Sequence, residues 1–352
     1  MMSNLKSSEE GQPLRKLLAE AAVGQVLGHD IVHIIPGREK YRAFQRGHVI
    51  TEDDLPLLRE LGRDHVFIWE PEAGLVHEDE AARRLARAAA GPGLQLSEVA
   101  MGRVNLSAEY DGLLKVEVER LAALNNLDMI IFSTLHKNRP VVKGTRVAGT
   151  RVVPLTVEQG RLETAEQIAG GAGPLIYVKP YKPLKVSVIT TGGEVYRGTV
   201  EDGFGPVLRP KIDALGGQWM GQCILPDDSS RIAAEIDQAI AKGAELILVT
   251  GGMSVDADDV TPEGIRSSGA EVIFYGAPVL PGSQYLMAYR GVTAIIGVPG
   301  GALFNRVTTL DLLLPRVFAG ERISRSDIAV LGHGGLCEEC EICRFPACSF
   351  GK

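Results

Sequence analysis

Residues 246–264 read LILVTGGMSVDADDVTPEG, and the order of residue types in this stretch decides the fold of the C-terminal half. Ile247, Leu248, Val249 and Thr250 form a short apolar, β-branched run without alternation, which predicts a strand buried on both faces. Gly251-Gly252 break the run, and an acid-rich turn follows with Asp256, Asp258 and Asp259. Thr261-Pro262 then supply an N-cap and a first helical residue. A buried strand thus ends in a glycine turn, presents carboxylates and hands over to a helix. In an open α/β sheet, ligands bind outside the carboxyl ends of the strands. Paired glycines let backbone approach a ligand closely, and N–H groups at a helix start suit a phosphate. Carboxylates repel a phosphate unless a cation lies between them, so the pattern asks for a hard metal, Mg²⁺ before others.

The same punctuation extends outward from this stretch. VSVIT (186–190), GQWMGQCIL (217–225), ELILVT (245–250), AEVIFYG (270–276) and VTAIIGV (292–298) read as strands. GPVLRPKIDALGG (205–217), residues 230–241, TPEGIRSSG (261–269) and ALFNRVTTLDLLLPRVF (302–318) read as helices. Such alternation predicts an α/β fold, a mostly parallel doubly wound sheet with helices on both faces.

Upstream the pattern is mixed α+β. Residues 1–12 read as a tail and VGQVLGHDIV (23–32) as a strand. Thr51 reads as the cap of a short helix running to Leu61, and HVFIW (65–69) as a further strand. EDEAARRLARAAAGPG (78–93) reads as a helix closed by Gly91-Pro92-Gly93. Residues from Leu113 to Leu124 read as a helix, with Leu114, Val118, Leu121 and Leu124 at helical spacing, and DMIIFSTL (128–135) and residues 141–155 read as strands. Pro180 and Pro183 mark a linker. The expected domains are an N-terminal α+β module (1–93), a mixed α/β region with linker (94–183), the α/β domain (184–325) and a cysteine-rich tail (326–352).

Composition limits the class. Hydrophobic residues at 45% and charged residues at 23% are ordinary for a globular chain, and 352 residues suffice for two or three domains. A net charge of −7 gives no electrostatic footprint for nucleic acid or a membrane surface. No apolar run reaches the ~20 residues of a membrane helix. The opening MMSNLKSSEEGQ lacks the apolar segment of a signal peptide, so a cytoplasmic protein is expected.

Four segments in order resemble the molybdopterin-binding domains of molybdopterin adenylyltransferases and molybdotransferases. TGGMSVDADDVTPEG (250–264) is similar to their signature loop, and VITTGGE (188–194) to their first strand and glycine-acid loop. LPDD (225–228) looks like their proline-aspartate turn, and GVPGG (297–301) like their Gly-x-Pro-Gly loop. Gly24-Gln25-Val26-Leu27-Gly28-His29-Asp30-Ile31 is loosely similar to a segment that molybdotransferases carry before the catalytic domain. The resemblance implies that Asp259, Asp227 and Glu194 bind or shape the shell of Mg²⁺ and act in catalysis. It further implies that Thr191, Gly192, Gly193, Gly251, Gly252, Ser254, Pro299, Gly300 and Gly301 hold the phosphate and pterin. Without it, loop acids would read as solvated or helix-capping groups, and glycine pairs as simple turns. Asp256 and Asp258 stay open between metal and solvent.

The chain also departs from the pattern. Gly301-Ala302 stand where molybdotransferases usually have Asn-Pro, and GREKYRAFQRGHVI (37–50) stands in place of their N-terminal acidic Asp-Asn-Ser-Ala-Met-Asp-Gly-like loop. Their small C-terminal β domain gives way to cysteines. Two functions therefore remain open. One is molybdenum cofactor biosynthesis with Mg²⁺-dependent molybdate insertion and release of AMP; the other is a carrier or sensor of molybdopterin without chemistry. The ligands would be molybdopterin, or its adenylylated form, and molybdate. A molybdoenzyme or another cofactor-synthesis protein is a partner in the second case, and a homo-oligomer is expected in both.

LGHGGLCEECEICRFPACSFGK (331–352) carries Cys337, Cys340, Cys343 and Cys348. Four thiols within twelve residues suit tetrahedral sulfur coordination of one metal. Cys-x2-Cys-x2-Cys also opens ferredoxin motifs, although here the next spacer is x4 and Pro346 precedes the last cysteine. Zinc, an iron–sulfur cluster and a redox-labile free-thiol tail all fit. Cys223 reads as core packing, and the histidines show no metal spacing.

Overall fold

The computed structural model describes residues 14–35, 37–70, 72–153, 155–254, 256 and 259–352. The expected N-terminal tail (1–12) and Asp258 lie outside them. The chain divides into two compact units. The first comprises residues up to Glu109, Val116–Leu135 and Gly144–Tyr177. The second comprises Tyr110–Lys115, His136–Lys143 and Val178–Lys352.

The second unit is built on a six-stranded sheet. Its strands are β1 (Lys185–Thr191), β2 (Gln218–Leu225), β3 (Leu246–Thr250), β4 (Glu271–Tyr275), β5 (Leu286–Arg290) and β6 (Thr293–Val298), in spatial order β2-β1-β3-β6-β5-β4. β2, β1, β3 and β6 run parallel, whereas β5 is antiparallel to β6 and to β4. The doubly wound sheet expected from the sequence is present, with one strand, β5, that the reading missed. Arg290 and Thr293 pair across a tight turn at Gly291, whose φ is 59°. So short a turn joined two strands where the sequence suggested one.

Helices α1 (Phe204–Ala214), α2 (Ser229–Ala241), α3 (Thr261–Ser267), α4 (Thr309–Phe318) and α5 (Arg325–Ala329) complete this unit. The period-2 geometry of β3 sorts its residues between two cores. Leu246 and Leu248 join Val186, Val188, Ile296, Leu208, Leu310 and Phe318 on the α1/α4 face. Ile247 and Val249 join Ile189, Ile295, Ile232, Ile236 and Ile265 on the α2/α3 face. A strand covered on both faces has no solvent side, which is why its sequence shows no alternation. Cys223 is not deep core: it is half-exposed on edge strand β2, and partial burial, with Glu235 beside it, raises its pKa.

α4 begins at Thr309, well after the expected start at Ala302. Thr308 caps it: its Oγ1 accepts from the Leu310 N–H, and Asp311 returns to accept from the Thr308 N–H at 2.8 Å. The segment before it is only a 3₁₀ turn, Gly300–Leu303. Leu113 and Leu114 lie in a strand, Gly112–Val116, rather than in a helix, because Gly112 and Leu113 pair with Val141 and Pro140. The helix of that region runs from Val118 to Asn125.

The first unit contains an antiparallel four-stranded sheet of Leu94–Leu96, Arg103–Ala108, Arg146–Val152 and Ile130–Thr134. Helix Glu78–Ala89 packs on it and against helix Gln159–Gly170, which the sequence reading had not recognised. Leu14–Leu18 pairs with His65–Trp69, and Ile31–Ile35 with Glu39–Phe44, around Leu27, Ile50, Leu58, Val66 and Ile68. Residues 24–30 form no strand; only Val26 and Leu27 make isolated bridges. The Thr51 cap is present, with Asp54 accepting from the Thr51 N–H at 2.8 Å.

Glu78 makes the stability of the first unit depend on pH. Its carboxyl is buried, and Gly102 packs so tightly on it that a Cβ there would lie 2.0 Å from Glu78 Oε2. Burial first, then the Asp79 carboxylate, push Glu78 from 4.5 to about 7, against the pull of Arg151 at 3.7 Å. Between these values the folded state holds a proton that the unfolded state has lost. The associated stability is full below the unfolded value and is lost as pH rises toward about 7. Wild type should lose about 3 kcal/mol from this group by pH ~8. Urea unfolding of wild type and Glu78→Gln at acidic and alkaline pH checks this: the variant should lack the decline, and parallel profiles would disprove the assignment.

Candidate functional site

The carboxyl ends of the parallel strands coincide. Thr191 pairs with Leu225, Thr190 with Thr250 and Thr250 with Val298, so the loops after β1, β2, β3 and β6 leave the sheet at one edge. The first three of these loops interlock through the glycines after β1 and β3 and Asp227 after β2. Gly251, with φ 80°, lies against β1, where a Cβ would meet the Thr191 carbonyl oxygen at 2.0 Å. Gly252, with φ 51°, lies beside the Thr261 and Thr191 hydroxyls, and a Cβ there would be 3.6 Å from Asp227 Oδ1. Only glycine gives backbone this close an approach with positive φ.

Asp227 joins the two glycine turns. Its Oδ2 accepts from the Gly193 N–H at 2.7 Å, while Oδ1 faces Gly252. Thr191 Oγ1 and Thr261 Oγ1 are 3.1 Å apart and buried, which ties the end of β1 to the start of α3. The neighbouring Asp228 is a capping residue: it accepts from the Ser230 and Arg231 N–H groups at the start of α2. Thus Thr191, Gly192, Gly193, Asp227, Gly251 and Gly252 are brought together as one cradle.

The other predicted residues lie around this cradle. Glu194 is exposed in the helical turn Gly193–Tyr196. Asp259 closes the signature loop on itself: its Oδ2 accepts from the Asp256 N–H at 3.0 Å, and its own N–H donates to the Asp256 carbonyl. Ser254 Oγ accepts from Gln284 at 3.1 Å, and Tyr275 Oη donates to the Met253 carbonyl at 2.7 Å. Burial first, then the Asp259 carboxylate, raise the Tyr275 pKa and keep its hydroxyl a donor. Pro299, Gly300 and Gly301 follow β6, and the Gly301 carbonyl accepts from both the backbone N–H and the side-chain amide of Asn305, each at 2.9 Å.

Glu194, Asp227 and Asp259 do not form a ready-made cation cage. Among the described residues, no group of three or more His, Cys, Asp or Glu is arranged to hold one ion. Mg²⁺ rarely needs such a cage, since it takes one or two carboxylates plus ligand phosphates and water. Asp227, next to backbone that can approach a phosphate, fits that mode.

Sequence reading missed a polar network behind the cradle. Gln222 donates to Thr190 Oγ1 at 2.8 Å and to Asp202 at 2.7 Å, and Thr250 donates to Thr190 at 3.0 Å. Asp202 also accepts from the Phe204 and Gly205 N–H groups at the start of α1. A glutamine within an apolar strand and a threonine at each strand end were the available signals. Tyr275 and Gln284 carried none, because their partners are distant in sequence; Asn305 bonds Gly301 only four residues away, inside a turn that the reading took for helix.

A carboxylate between glycine turns, at the carboxyl edge of a parallel sheet, places the candidate site where α/β domains of this topology bind ligands. Residues 187–319 match the family described as a probable molybdopterin binding domain, so the second unit carries that domain. Residues 16–70 match a domain of unknown function. The chain is 26% identical over 187 residues to a molybdopterin molybdenumtransferase of Synechococcus elongatus, covering 50% of this chain and 46% of that protein. It is 32% identical over 85 residues to a molybdopterin adenylyltransferase of Pyrococcus furiosus, covering 24% of this chain and 50% of that protein. The chain thus spans about half the length of these curated relatives. Among solved structures it is similar to the molybdopterin biosynthesis enzyme MoaB of Thermus thermophilus, with TM-score 0.33 and 22% identity over 39% of this chain and 98% of that one. Among the described residues no helix is long and apolar enough to cross a membrane.

Proposed function

We propose that the second unit binds molybdopterin, in adenylylated form, and acts in molybdenum cofactor biosynthesis by inserting molybdate with release of AMP. The observation that carries this reading is Asp227 held between the Gly192-Gly193 and Gly251-Gly252 turns, within a segment that matches a molybdopterin-binding family. The two turns bring backbone to the ligand phosphates, and the Gly300-Gly301 turn leaves room for the pterin. Asp227, with Glu194 and Asp259 at the rim, would hold Mg²⁺. When bound, that ion supplies charge neutralisation between carboxylate and phosphate. In the proposed reaction a water oxygen bonds to the AMP phosphorus as the bond from that phosphorus to the anhydride oxygen breaks, leaving that oxygen on the molybdopterin phosphate. Molybdate forms two Mo–S bonds with the dithiolene while the two thiol protons leave with one of its oxygens as water. Tyr275 and Gln284 restrain the signature loop while the ligand is in place.

A second reading, a molybdopterin carrier or sensor that docks on a molybdoenzyme, is favoured by Gly301-Ala302 standing where molybdotransferases have Asn-Pro. AMP release from adenylylated molybdopterin, with Mg²⁺ and with or without molybdate, separates the two. Molybdate-dependent release supports the transferase. Tight binding without release supports the carrier.

A further inference from the structure

The C-terminal cysteines do not lie on a loose tail. Leu280 and Leu336 form a parallel bridge, with the Leu280 N–H donating to Gly335 and the Cys337 N–H to Leu280. The far end returns as well: the Gly351 N–H donates to the Gly334 carbonyl at 2.9 Å, and Phe350 is buried with Val279 and Val307. The segment between is a loop pinned at both ends, and its four cysteines are free thiols. All four line one cleft of about 310 Å³. Cys337, Cys343 and Cys348 pack against the Val279–Phe350 cluster, while Cys340 is exposed at the rim.

We propose that Cys337, Cys340, Cys343 and Cys348 hold an iron–sulfur cluster rather than a single zinc ion, and that loading of this site stiffens the Gly300-Gly301 turn through Asn305. A structural zinc site is closed: with Zn–S of ~2.3 Å, its thiolates lie within about 4 Å of one another and leave no void. Here no three of the donors are arranged for a single ion, yet all four face the same cleft. A cluster carries its own bulk of iron and sulfide and sets its cysteines further apart, as a wide cleft requires.

The second part follows from Asn305. It lines the same cleft, and its backbone and side-chain amides both hold the Gly301 carbonyl. An occupant that orders the cleft wall restricts Asn305, and with it the turn after β6. The cluster assignment is independent of the molybdopterin reading, and so are the readouts that test it.

The test uses the 352-residue chain, incubated anaerobically with ferric iron, excess dithiothreitol and sulfide, and in parallel with Zn²⁺ alone. The expected product retains iron and sulfide in equal amounts through gel filtration and shows visible absorption that bleaches on reduction. Cys340→Ser, at an exposed position, should lose this species and keep the wild-type circular dichroism; Cys223→Ser should retain it. One firmly held zinc per chain that iron and sulfide cannot displace would overturn the cluster, as would retention of neither metal. Amide exchange across residues 300–307 should slow about tenfold on loading in wild type and stay unchanged in Asn305→Ala. An equal response in both proteins, or none in wild type, would overturn the transmission through Asn305.

Discussion

Alanine in place of Gly251 is expected to cost the second unit about 3–5 kcal/mol, enough to consume much of the stability of an ordinary domain. Two costs add at that position. Gly251 has φ 80°, where an L side chain costs ~1–2 kcal/mol. The new Cβ would also lie 2.0 Å from the Thr191 carbonyl oxygen, and that obstacle is backbone. β1 cannot retreat, because it is paired on both sides with β2 and β3. The neighbouring Gly252→Ala is the control: its φ is 51°, but its tightest neighbour is the Thr261 hydroxyl at 2.9 Å, a side-chain tip. Urea unfolding should place Gly251→Ala well below Gly252→Ala. Equal stabilities would mean that the signature loop does not lie against β1.

Asp227→Asn is expected to lower AMP release by about 10²-fold or more while leaving thermal stability within a degree or two of wild type. An asparagine oxygen can still accept from the Gly193 N–H, so the link between the turns survives. What disappears is the charge that would hold Mg²⁺ against the ligand phosphates. Isothermal titration with Mg²⁺ in the presence of ligand should show the same loss. Asp259→Asn should also stop turnover with the fold intact, since asparagine can replace the oxygen that accepts from the Asp256 N–H. Full AMP release by Asp227→Asn would remove this carboxylate from the reaction, and retained release by Asp259→Asn would move the chemistry away from the signature loop.

Much of the second unit was legible because local chemistry and tertiary role agree there. The run Leu246–Thr250 shows no alternation because Leu248 faces one core and Val249 the other. Gly251-Gly252 were legible because positive φ and backbone contact leave no alternative residue. Errors arose where a distant partner decided the conformation. Leu114 has the spacing of a helix with Val118 and Leu121, but its strand forms because Gly112 and Leu113 find residues 140–141. The premature start of α4 is a different case: its signal, Thr308 with Asp311 three residues on, was present locally as a capping box.

The candidate site divides the same way. Glycine turns, strand ends and Asp227 follow from residue type and order, so they could be named from the chain alone. By itself the sequence determined an α/β sheet, the edge at which its glycine turns lie and a cysteine-rich segment, because each rests on short-range pattern. Only the tertiary structure decided that Asp227, not Glu194 or Asp259, lies between the turns, that Tyr275 and Gln284 brace the signature loop, and that Asn305 links the cysteine cleft to Gly301. These depend on strand order and loop packing, and contacts between residues remote in sequence leave no periodic trace along the chain.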